Sequence, residues 1–120
     1  DYDENGKKTA TWPGLKDAFA PDGYVDIPFE DVRDRLLFSQ VLEAIRIMEE
    51  GVLTSVADGN IGSIMGIGFP PHTGGVYQCV NAYGVQAFAD RAQALAARYG
   101  DAFEPPRLLL EMAAGNRCFA

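Results

Sequence analysis

The chain has 120 residues, with 17 acidic against 10 basic for a net charge of −7, and 48% of it is hydrophobic. That much apolar material suffices for one core without disulfide or metal staples. Its negative charge repels phosphate backbones and anionic lipid surfaces, which argues against nucleic acid and membranes as partners. No apolar run approaches the ~20 residues of a membrane span, and no signal peptide is expected. The two cysteines, Cys79 and Cys118, are far apart and lack CxxC spacing. Reduced thiols and a cytoplasmic setting are therefore expected. The first residue is Asp1, not Met, so a piece of a longer protein is expected.

Residues 1–25 mix Gly, Pro, Lys and Asp without a period and read as a linker or arm. Its one apolar cluster, Trp12-Pro13-Gly14-Leu15, is expected to dock on the domain that follows, residues 26–120. There Phe29, Val32, Leu36, Leu37, Val41, Ala44, Ile45 and Met48 recur at spacings of three and four, which predicts a helix of roughly 22 residues with one apolar stripe. Pro28 suits its first turn and Gly51 its stop.

Ser55 and Asp58 form a capping arrangement for a second helix. Glycines at 59, 62, 66 and 68 keep it short, and Pro70-Pro71 forbid continuation. Gly74-Gly75 marks a turn, and Val76 to Tyr83 form a short helix closed by Gly84. Val85, Phe88, Ala92, Leu95, Ala96 and Tyr99 mark another, stopped by Gly100, and Pro105-Pro106 open a last helix from Arg107 to Ala114. No segment alternates with period two. The expected fold is all-α, about five helices, with a Gly/Pro-rich elbow.

The motifs that carry chemistry elsewhere are incomplete here. Gly62 to Gly68 lacks the strand–turn–helix setting of a dinucleotide fingerprint and the Lys-Ser/Thr of a P-loop. Gly62 and Gly66, four apart, are expected to let another helix approach closely. His72 is the only histidine; a triad would have to borrow Ser63 or Ser55, and neither lies in a nucleophile elbow. With one histidine and no ligand spacing of cysteines, no metal site is expected. Asp31, Arg33, Asp34 and Arg35 read as a solvated charged face, with Arg35 half-buried on a carbonyl or carboxylate. Cys79 reads as core. No catalytic, cofactor-binding or metal-binding residue emerges.

Arg33-Asp34-Arg35-Leu36-Leu37-Phe38, Ala57-Asp58-Gly59-Asn60-Ile61-Gly62, Gly66-Ile67-Gly68-Phe69-Pro70-Pro71, Thr73-Gly74-Gly75 and Phe103-x-Pro105-Pro106 resemble the C-terminal helical domain of 3-hydroxyacyl-CoA dehydrogenases over residues 26–120. The similarity is greatest to the second, distal copy of that domain in multifunctional β-oxidation proteins, the fatty-acid oxidation complex α subunits. The resemblance implies a parent that joins an enoyl-CoA hydratase to an NAD-binding Rossmann domain and two helical copies. That parent would oxidise L-3-hydroxyacyl-CoA to 3-ketoacyl-CoA with NAD, with its His–Glu pair and NAD fingerprint in the Rossmann domain.

In the first copy an Asn-Arg-Leu-Leu motif turns its asparagine to the acyl-CoA. Asp34 stands at the matching position, where a carboxylate repels the CoA polyanion and cannot donate as an amide does. His72 also departs from the family, which often has a bulky apolar residue after the two prolines, and this bears on packing at the elbow. The implied role is a pseudo-dimer surface for the first helical copy and the NAD-binding domain, with no NAD bound by this piece. Two alternatives are an acyl-CoA-binding module using Lys7, Lys8 and Lys16, and self-association. With Cys118-Phe119-Ala120 as the last residues, a peroxisomal address is not expected.

Overall fold

In a computed structural model, residues 1–20, 22, 23 and 25–120 are described; Pro21 and Tyr24 of the expected arm lie outside them. The described residues form six helices and no strand: α1 (Leu15–Phe19), α2 (Phe29–Glu49), α3 (Val56–Ile67), α4 (Val76–Tyr83), α5 (Val85–Tyr99) and α6 (Arg107–Ala114). The five longer ones lie where the sequence places them, because glycines and prolines punctuate the chain so firmly. Among the described residues no helix is long and apolar enough to cross a membrane.

The long helix turns a different side inward than its hydrophobic stripe suggests. Its buried residues are Asp31, Asp34, Phe38, Val41, Leu42 and Ile45, while Phe29 and Leu36 are 79% and 65% exposed. Two apolar stripes are superposed in one 3/4 pattern. The inner one begins at Phe38, because the turns before it carry two aspartates inward. The outer one, Phe29-Val32-Leu36, faces away from the core.

Helices pack by capping one another as well as by burying side chains. No side chain within α4 caps its first turn. Asn60 of α3 does so instead, its Oδ1 accepting from the Tyr77 and Gln78 N–H groups at 2.9 and 3.2 Å. The Tyr77 hydroxyl donates to the Ala44 carbonyl of α2 at 2.7 Å, which ties three helices at one fully buried ring. At the far end of α2, Glu49 accepts from Leu108 N–H at the start of α6, and Arg46 donates to the Ala102 and Glu104 carbonyls.

The close-packed glycines are not the expected pair. A Cβ at Gly62 or Gly66 would meet nothing within 4 Å, so among the described residues no helix approaches there. A Cβ at Gly59 would run into the Tyr77 ring and Leu53, and one at Gly75 would lie 2.5 Å from the Asn60 Cα. Ordinary van der Waals contact cannot accommodate either. His72 is exposed in a one-turn 3-10 helix, and the buried side chain of the elbow is Phe69. In the arm, Tyr2 pairs with Lys8 and no side chain of α1 is buried. Trp12 stays 58% exposed, its ring against Gly14, so the expected docking on the core does not occur.

Candidate functional site

The charged cluster at the start of α2 is a buried clamp between helices, which overturns its reading as a solvated face. Asp31 and Asp34 sit one turn apart on the inner side of α2, facing the second half of α5. Arg91 bridges them, donating from Nη2 to Asp31 Oδ1 at 2.7 Å and from Nε to Asp34 Oδ2 at 2.8 Å. Arg98 Nη1 and the Tyr99 hydroxyl donate to Asp31 Oδ2 at 2.8 and 2.5 Å. Arg33 donates twice to Asp34 Oδ1. All four carboxylate oxygens are thereby satisfied, as burial of two like charges demands.

Arg35 is half-buried, as expected, but its anchor differs. Its guanidinium lies 4.5 Å from the centre of the Tyr99 ring, and its buried Nε has no hydrogen-bond partner. A cation over an aromatic face gains from the ring quadrupole without a carboxylate.

This clamp has a definite pH response. The Tyr99 hydroxyl, then Arg91, hold the Asp31 carboxyl below its ordinary 3.8 despite the desolvation opposing them. The same bond, with burial, pushes the Tyr99 hydroxyl above its ordinary 10.0. A lowered carboxyl contributes stability above its unfolded value that is lost as pH falls through the folded one. A raised phenol contributes stability below its unfolded value that is lost as pH rises. Melting temperature should therefore plateau between roughly pH 5 and 9 and fall on both sides. Asp31→Asn should lower the plateau and flatten the acid limb; an unchanged acid limb in that variant would count against the clamp.

The hydroxyls that a triad would have borrowed have structural duties. Ser55 accepts from Asp58 N–H as the cap of α3. Ser63 is buried, donating to the Asn60 carbonyl and accepting from Val76 N–H. Burial pushes the Cys79 thiol up, and its side chain packs against the core, which makes it a poor nucleophile. Among the described residues no cluster of three or more His, Cys, Asp or Glu could hold a metal ion.

The glycine run does not fit a dinucleotide. Gly62 and Gly66 lie inside α3, where helix hydrogen bonds already use the amides that would cradle a pyrophosphate.

A groove of about 580 Å³ opens between α2 and α3. Its apolar floor includes Ile47, Leu53 and Ile67, and its only charged lining residues are Glu43 and Asp58. A carboxylate rim is the wrong sign for CoA phosphates. The arm lysines expected to meet them do not line it.

No family model matches the chain. The fatty acid oxidation complex subunit alpha of Shewanella amazonensis is 37% identical over 89 residues, which is 74% of this chain and 13% of that protein. The chain is related to that family. It therefore corresponds to a small part of the length of a fatty acid oxidation complex α subunit.

The relationship supports the likeness to fatty acid oxidation complex α subunits read from the motifs, while the geometry changes what some of those residues do locally. Arg91, Arg98 and Tyr99 went unnoticed as partners of Asp31 and Asp34, and so did Asn60 as a cap. A pair of inward-facing aspartates three apart on an otherwise apolar face was the available signal, since buried carboxylates require cations somewhere.

Proposed function

We propose that this chain is a helical packing domain of a multifunctional β-oxidation enzyme, the second copy of a 3-hydroxyacyl-CoA dehydrogenase C-terminal domain. Its parent oxidises L-3-hydroxyacyl-CoA to 3-ketoacyl-CoA with NAD, in the cytoplasm. This piece supplies a surface for the first helical copy and the NAD-binding domain, and contributes no reacting group. The observation that carries the reading is the outer face: Phe29, Val32 and Leu36 on α2 and Ile61 and Met65 on α3 are all exposed, Met65 at 81%, beside the bare Gly62 and Gly66. So much solvated apolar surface is the mark of an interface.

Asp34 supports the second half of the proposal. The residue matching the substrate-facing asparagine has both oxygens bound to arginines, leaving nothing to offer a thioester. The rival reading, an acyl-CoA-binding module, is disfavoured by the acidic lining of the α2–α3 groove.

The test is a titration of the chain with acetoacetyl-CoA, with and without NADH, at concentrations that reveal ~mM binding. No binding and no NADH oxidation are expected. Saturable micromolar binding, or turnover, would overturn the proposal.

A further inference from the structure

Arg35 stands apart from the other arginines. Among the described residues Arg33, Arg46, Arg91, Arg98 and Arg107 each pair with a carboxylate. Arg117 is exposed, and water solvates it. Arg35 is half-buried, its Nε is covered and has no hydrogen-bond partner, and no described carboxylate pairs with it. Its guanidinium lies 4.5 Å from the centre of the Tyr99 ring, and that of Arg98 lies 5.2 Å from the same ring. Two like charges share one aromatic platform.

The carboxylates nearby are already used. Arg91, Arg98 and Tyr99 occupy both oxygens of Asp31, and Arg33 and Arg91 occupy those of Asp34. Glu30 acts on Arg33 at longer range. Four arginines therefore face three carboxylates here, and Arg35 is the cation left over. It also borders the outer face of α2. Val32 stands three residues before it and Ser39 four after, the spacings of neighbours on a helix, and Leu36 is next in sequence. All three are exposed.

An apolar patch edged by arginine and tyrosine has the composition of an interface hot spot. Covering a half-buried guanidinium with protein is costly unless the cover brings an anion. A carbonyl would accept hydrogen bonds but leave the charge in place, whereas a carboxylate offsets it. Because Nε is covered, the approach is end-on, at the two Nη nitrogens. We propose that the surface covering the outer stripe of α2 sets an aspartate or glutamate on Arg35, with Arg98 beside it, next to apolar side chains that meet Val32 and Leu36. This inference rests on the packing reading and adds to it the chemistry of the partner.

The test compares Arg35→Met and Arg35→Lys with the unaltered residue, all in a Leu36→Cys, Cys118→Ser background. The readout is protection at residue 36: the maleimide labelling rate in this chain alone divided by the rate in the proposed full-length parent subunit. The ratio cancels any effect of residue 35 on the thiol itself. In this chain alone Arg35→Met should melt within a few degrees of the unaltered chain, since the thioether keeps a contact with Tyr99. In the subunit Arg35→Met should lower protection roughly tenfold, and Arg35→Lys by less, because lysine keeps the charge and loses the planar fork. Salt at about 0.5 M should erode protection with arginine in place and leave the methionine variant unmoved. Full protection in Arg35→Met, or protection by arginine that salt leaves unchanged, overturns the carboxylate and leaves the packing reading standing. A large fall in melting temperature of Arg35→Met in this chain alone makes Arg35 a strut of the fold and overturns it equally. Absence of protection with Arg35 in place removes the packing reading, and this inference with it.

Discussion

Phe38→Ala should destabilise the chain by about 3 to 5 kcal/mol. Phe38 is 2% exposed and stacks on Phe88 with centroids 3.9 Å apart. Tyr83 closes over both rings edge-on, at 5.7 and 5.6 Å. Truncation removes one member of this three-ring cluster shared by α2, α4 and α5. In a domain of this size the loss lowers the melting temperature by roughly 10 to 20 °C. Leu36→Ala, two residues earlier, should change stability by no more than about 0.5 kcal/mol, because that side chain is solvated. The contrast, read by chemical denaturation of both variants, tests which face of α2 is inward. Equal costs would mean that the two stripes have been misassigned.

Gly75→Ala should cost about 3 kcal/mol or more, from two separate causes. Its φ of +106° is a conformation that L side chains rarely adopt. The added methyl would also lie 2.5 Å from the Asn60 Cα, a backbone atom that cannot swing aside. Relief of that clash pushes α4 away from α3 and strips the Asn60 cap from the Tyr77 and Gln78 amides. Gly62→Ala should do the opposite. That position is mid-helix with open space beyond it, so alanine should stabilise the isolated chain by about 0.5 to 1 kcal/mol. A thermal melt of the two variants separates a glycine required by contact from one that the chain by itself does not require.

Element positions were legible because each stop is written locally. Gly68 adopts the left-handed cap of α3 and Gly100 ends α5, and neither depends on anything distant. The faces were less legible. A 3/4 pattern that includes Phe29, Val32 and Leu36 looks like a continuous core stripe. It is the aspartates at 31 and 34, held by Arg91, Arg98 and Tyr99, that rotate it. Those partners lie 57 to 68 residues away in sequence, and i,i+4 reasoning sees only neighbours on the same helix.

The glycines show the same limit. Gly62 and Gly59 look alike as sequence, and only the Tyr77 ring, brought in from α4, distinguishes them. For function, the elbow motif carried the family resemblance although its residues pack rather than react.

The measurement that bears most directly on the packing reading is the accessibility of residue 36. Leu36→Cys, in a background with the exposed Cys118 changed to Ser, should react with a maleimide at the rate of a solvated thiol in this chain alone. In the proposed full-length parent subunit, labelling should slow by tenfold or more, and it should recover when the proposed partner domains are removed. Equally fast labelling in the full-length subunit would mean that nothing covers the outer face of α2, and the proposed packing role would fall.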